Sequence, residues 1–82
     1  MTDAEVLSVV AEVAREHVGY TGPLTPTMRL VEDLDLDSIQ ALTLAVEVEN
    51  RLRVAIDPDS ETGISTVGDL VRVVREKLDD RR

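Results

Sequence analysis

Asp33-Leu34-Asp35-Leu36-Asp37-Ser38-Ile39-Gln40 is the stretch at which the chain changes character. Upstream, Gly22, Pro23 and Pro26 forbid a continuous helix. Downstream, Ile39, Leu42, Ala45, Val46, Glu49 and Leu52 fall along adjacent faces of a helix, and Leu44 and Val48 widen its apolar stripe. Asp37 with Gln40 three residues later is a capping-box pattern, so the spacing predicts a helix from Asp37 or Ser38 to about Arg53. A stripe this wide suits a helix that touches two neighbours. With Asp37 as the cap, Ser38 stands at the first helical position with its hydroxyl free. Taken alone, an Asp-Ser pair is ordinary capping chemistry. A helix start, however, presents unpaired N–H groups and positive partial charge. A phosphate ester on Ser38 would be stabilised there by about 0.3–1 kcal/mol.

The flanking segments complete a helical domain. Thr2 and Glu5 have capping-box spacing, and Val6, Val9, Val10, Val13, Ala14 and His17 follow at helical intervals. A first helix over 2–18 is predicted, closed by Gly19. The connection over 20–37 carries Leu24, Met28, Leu30, Leu34 and Leu36, so it should lie against the bundle, with a short helical turn near Thr27 to Val31. Residues 54–65 contain Pro58 and Gly63 and read as a loop with at most one short helical turn after Pro58. Ser65 or Thr66 should cap a last helix over 67–78, striped by Val67, Leu70, Val71, Val74 and Leu78, with Asp79 to Arg82 frayed. The expected fold is all-α: a small bundle of three long helices plus one short helix, in a single domain over 1–82.

Composition narrows the function. With 82 residues there is no room for a deep catalytic cleft and a separate binding domain. The core must be aliphatic, because Tyr20 is the only aromatic residue. A net charge of −8 repels nucleic acid and anionic membranes and favours partners with basic patches. The absence of cysteine excludes disulfide scaffolds and thiol catalysis. An acidic N-terminus and the lack of a long apolar run point to a soluble cytoplasmic protein. No acid–base pair or nucleophile constellation stands out, so the chain reads as no enzyme. His17 reads as structural, and Arg51 and Arg53 as partners of a helix-end dipole. Asp57, Asp59 and Glu61 alternate without the full calcium-loop pattern, so no metal site is expected.

Asp33-Leu34-Asp35-Leu36-Asp37-Ser38-Ile39 resembles the D-L-G-x-D-S-L signature of acyl carrier proteins. The resemblance runs over nearly the whole chain: amphipathic first helix, long apolar-studded loop and serine-led second helix stand in family order. Ile56 and Ile64 fit the two isoleucine positions that border the acyl cavity, and Ser65-Thr66-Val67 fits the start of the last helix. The resemblance implies a 4′-phosphopantetheine arm attached covalently to Ser38 by a phosphopantetheinyl transferase that uses coenzyme A. Asp37 would be the adjacent motif acid that helps to place the metal ion during the transfer. Acyl intermediates would then be held as thioesters and presented to acyl-loading and acyl-processing enzymes.

Ile39, Val46, Glu47, Glu49 and the acids around Ser38 are the expected recognition face, meeting basic docking patches on those enzymes. Leu42, Val48, Leu52, Ile56 and Ile64 are the expected lining for a folded-back acyl chain. A monomer is the default state. Two departures from the family pattern stand out. Asp35 replaces the usual glycine, and an aspartate can take positive φ there only at some cost. Thr43, Asn50, Arg51 and Arg53 stand where fatty-acid carriers are acidic. They tilt the expectation towards a specialised pathway, polyketide or hybrid, over housekeeping fatty-acid synthesis. An aminoacyl or peptidyl carrier usually shows glycines and a histidine where this chain has Leu36 and Asp37. A non-carrier helical interaction domain would need no free Ser38.

Overall fold

The computed structural model describes residues 2–55 and 64–80. The first helix, α1, spans Asp3–Val13. Thr2 Oγ1 accepts from Glu5 N–H at 3.2 Å, and Glu5 Oε1 accepts from Thr2 N–H at 2.9 Å, so the capping box forms as the spacing predicts. The same helix was expected to run on regularly to Val18, but Ala14–Val18 is a π-helical turn. Gly19 adopts φ 75°, and its N–H and that of Tyr20 both reach back to the Ala14 carbonyl. Two amides drawn onto one carbonyl five and six residues earlier widen the final turn.

The second helix, α2, spans Ser38–Leu52. Arg53, at φ 57°, ends it, and Val54 N–H donates to the Glu49 carbonyl at 3.0 Å. Buried Val54 then seals the end as the following apolar residue. The third helix, α3, spans Val67–Asp80, so Asp79 and Asp80, expected to fray, continue it. Arg75 holds Asp79 one turn on, at 3.7 Å. Among the described residues the only β feature is a bridge between Arg29 and Thr66. The expected short helix after Pro58 lies outside the described residues. In the long connection, the turn expected near Thr27 to Val31 falls slightly later, where Asp33 N–H donates to the Arg29 carbonyl at 2.9 Å.

Val6, Val10 and Val13 of α1, Leu44 and Val48 of α2, and Val67, Leu70 and Val74 of α3 form a fully buried aliphatic core. Each contributes about 1.5–3 kcal/mol from burial. Leu30, Leu34 and Leu36 are buried with them, which binds the long connection to the bundle. Ion pairs cross between helices at the surface. Arg51 of α2 reaches Glu12 of α1 and Glu16 of the π turn at 3.2 and 2.7 Å, and beside them His17 Nε2 makes a polar contact with Glu47 Oε2 at 3.4 Å. Arg51 is expected at the helix-end dipole; its guanidinium instead reaches Glu12 of α1 and Glu16 of the π turn, two carboxylates that meet its fork. His17, expected near the buried stripe, is solvent-exposed in the π turn and stands beside Glu47. Such exposed pairs contribute about 0–1 kcal/mol each.

Candidate functional site

The site is built at the junction of the long connection and α2. Asp37 is in extended conformation, its Oδ1 accepts from Gln40 N–H at 2.7 Å, and Gln40 Oε1 accepts from Asp37 N–H at 3.2 Å. The cap is therefore filled by Asp37. Ser38 is exposed, and its hydroxyl takes no side-chain hydrogen bond among the described residues. The Ser38 and Ile39 amides stand ahead of the first intrahelical bond, which leaves two donors and the positive helix end beside that hydroxyl. An anionic ester fits this position without displacing an existing contact.

The preceding residues are held by alternation. Leu34 and Leu36 are buried, while Asp33, Asp35 and Asp37 are exposed. Asp35 adopts φ 58°, the left-handed conformation that explains glycine at this place in the resembling motif. Not every upstream acid is free to face a partner. Asp33 Oδ2 accepts from Arg29 N–H at 2.7 Å, Glu32 pairs with the Arg29 guanidinium at 3.1 Å, and Asp37 is engaged in the cap.

A groove of about 220 Å³ opens beside Ser38, lined by Leu30, Val31, Ala41, Leu42, Ala45 and Ile64. Leu42 and Ile64, expected from the sequence, are among its walls. Val48 is not: it is wholly buried in the core, and Leu52 is packed half-buried against that core away from the groove. Ile56 lies outside the described residues. Ala41 and Ala45 were missed, although their spacing carried the signal. They stand three and seven residues beyond Ser38, on its face of α2, and their small side chains leave the hollow. Leu30 and Val31 could not be found by helical periodicity, since they belong to the connection.

The expected recognition residues divide. Ile39, Leu42 and Val46 are 74%, 52% and 38% exposed and form an apolar ridge running from Ser38 along α2, with Val31 (51%) nearby on the connection. Glu47 and Glu49 lie about 80° to either side of Ile39 around the helix. Both are half-buried, and Glu47 faces His17 of the π turn. The ridge itself is thus apolar, with acids on its flanks. Among the described residues no cluster of three His, Cys, Asp or Glu side chains could hold a metal ion, and no helix is long and apolar enough to cross a membrane. Asp57, Asp59 and Glu61 lie outside the described residues.

Comparison with known proteins agrees with this geometry. Residues 4–74 match the family described as phosphopantetheine attachment site. The meromycolate extension acyl carrier protein of Mycobacterium tuberculosis is 33% identical over 81 residues, covering 98% of this chain and 70% of that protein. The meromycolate extension acyl carrier protein of Mycolicibacterium smegmatis is 34% identical over 80 residues, 96% of this chain and 80% of that protein. Acyl carrier protein 2 of Ralstonia nicotianae is 33% identical over 79 residues, 95% of this chain and 98% of that protein. The capped helix start, the free serine at its first position and these likenesses along almost the whole chain make it a member of the acyl carrier protein family, non-catalytic proteins whose covalent prosthetic group is 4′-phosphopantetheine.

Proposed function

We propose that Ser38 is the attachment point of the 4′-phosphopantetheine arm and that the chain, as a single carrier domain and monomer, presents acyl thioesters to partner enzymes. The observation that carries this reading is the division of labour at the start of α2: Asp37 fills the cap and leaves the Ser38 hydroxyl exposed and unengaged. The arm supplies a terminal thiol for the acyl thioester and a flexible tether that raises the local concentration of the bound group. Asp37 fixes the helix start, so the Ser38 Oγ is held outward, and the Ser38 and Ile39 amides stabilise the phosphate. The groove bounded by Ala41, Leu42, Ala45 and Ile64 offers apolar cover to a short acyl chain.

Partners would meet the ridge of Ile39, Leu42 and Val46, with Glu47, Glu49 and the exposed Asp35 around it. An apolar ridge among acids suits an enzyme surface with an apolar patch ringed by basic residues, in the cytoplasm. We read the pathway as a specialised one, polyketide or other dedicated lipid synthesis, in preference to housekeeping fatty-acid synthesis. Thr43, Asn50, Arg51 and Arg53 stand where fatty-acid carriers are acidic, and several relatives are named for meromycolate extension. Incubation with coenzyme A, magnesium and a broad-specificity phosphopantetheinyl transferase tests the attachment. The intact mass rises by one phosphopantetheine in the wild type and not in Ser38→Ala. Loading of the resulting holo form by fatty-acid and by polyketide acyltransferases tests the pathway, and equal or better loading by the fatty-acid enzyme would reverse that choice.

A further inference from the structure

The start of α3 is capped by the long connection. Val67 N–H donates to the Met28 carbonyl and Gly68 N–H to the Pro26 carbonyl, each at 2.9 Å, while Leu30 N–H donates back to the Ser65 carbonyl at 3.0 Å. Asp69 N–H is satisfied by Thr66 Oγ1 at 3.0 Å, and Leu70 N–H by the Thr66 carbonyl at 3.2 Å. All four leading amides of α3 are thus paired, two of them by backbone from a distant part of the chain. These bonds clasp two segments that both reach the groove beside Ser38. Leu30 and Val31 line it from the connection, and Ile64, next to Ser65, lines it from the other segment.

The closest approach in the clasp is at Gly68. A Cβ placed there would lie 2.8 Å from the Pro26 carbonyl oxygen and 3.2 Å from Pro26 Cβ. The nearest group is backbone, so no side-chain rotation relieves the contact. That oxygen is also the acceptor of the Gly68 N–H. Any side chain at 68 must shift the connection relative to α3, and the segments that wall the groove move with it.

We infer that Gly68 is a positioning residue for the acyl cargo: by admitting Pro26 to contact, it sets the spacing of Leu30 and Val31 from Ile64 and hence how well the groove shields the thioester. Gly68 does not itself line that groove. The inference rests on Ser38 being the attachment point.

The test uses the full chain as wild type, Gly68→Ala and Val9→Ala. The last weakens the packing of a partly buried residue on α1 that makes none of the clasp's hydrogen bonds. Each is charged in one step by a phosphopantetheinyl transferase with hexanoyl-coenzyme A, and cleavage of the thioester by hydroxylamine is followed by intact mass. The expected result is that all three are charged at Ser38 and that Gly68→Ala loses its hexanoyl group about fivefold faster or more, a typical size for coupling between linked sites. Val9→Ala should stay close to the wild type. Equal rates in Gly68→Ala and wild type, or equal acceleration in both variants, would overturn the inference. Failure of the wild type to be charged would instead defeat the attachment reading. Should Gly68→Ala not fold, amide hydrogen exchange of the wild type decides the matter, because coupling is reciprocal. Hexanoylation should slow exchange at Leu30, Val67 and Gly68 by about fivefold relative to the unacylated holo form, and unchanged exchange at those amides would overturn the proposal.

Discussion

Asp35 offers a direct probe of how the backbone presents Ser38. Its φ of 58° places an L-residue in the left-handed region two residues before the helix cap. That conformation costs roughly 1–2 kcal/mol for a residue with a Cβ, somewhat less for aspartate, whose short polar side chain can bond locally. Glycine removes this cost but adds about 0.5–1 kcal/mol of unfolded-state entropy to be lost on folding. Asp35→Gly and Asp35→Ala remove the same charge, so comparing the two cancels electrostatics. Glycine should exceed alanine in stability by about 1 kcal/mol, or about 4–8 °C in Tm for a domain of this size. The assay is thermal unfolding followed by circular dichroism at fixed ionic strength. Aspartate should lie between the two or close to glycine. If alanine proves as stable as glycine, the left-handed bend before Ser38 is not present in solution, and the account of the site's backbone fails.

Leu44→Ala should cost about 2–5 kcal/mol, since Leu44 is wholly buried in the core, and chemical denaturation would measure it. The Asp69 carboxylate is held below the usual aspartate range, chiefly by the Ser65 N–H it accepts, so its contribution to stability is full above the ordinary aspartate value. That contribution is lost as pH falls through the lower folded-state value, so Asp69→Asn should flatten the acid end of the Tm–pH profile while that of the wild type falls. With a net charge of −8, added salt or magnesium should raise Tm, whereas a flat response would show the acids to be already paired. Ile39→Asp should leave Tm almost unchanged, within about 0.5 kcal/mol, because Ile39 is mostly exposed. It should also slow transferase modification about fivefold or more, the equivalent of roughly 1 kcal/mol of lost contact.

The start of α2 was legible because its signal is local: Asp37 and Gln40 satisfy each other across three residues, and Ser38 is left over. The stripes of the three helices were legible for the same reason, since a 3.6-residue period depends on neighbours in sequence alone. What stayed hidden is non-local or lacks side-chain identity. The capping of α3 by Pro26 and Met28 uses carbonyls that every residue possesses, so only Gly68 hinted at a close approach. Nothing in the order of residues brings Glu12 and Glu16 to Arg51, so the sequence points only to its own helix end. Apolar periodicity points to large residues such as Val48 and Leu52 as groove lining. A hollow forms instead where side chains are small, at Ala41 and Ala45, while the large ones fill the core. Glu47 shares a helix with Ile39, yet its partner His17 comes from the π turn of another, which the order of residues does not show.

We propose that the Ser38 hydroxyl, and no other, carries the arm. Peptide mapping by tandem mass spectrometry of the protein after transferase treatment tests it most directly. Phosphopantetheine is expected on the peptide containing Ser38, its fragment ions placing the ester on that residue, and no modified peptide is expected from Ser38→Ala. Modification found on Ser8, Thr43 or Ser65, or persisting in Ser38→Ala, would contradict it.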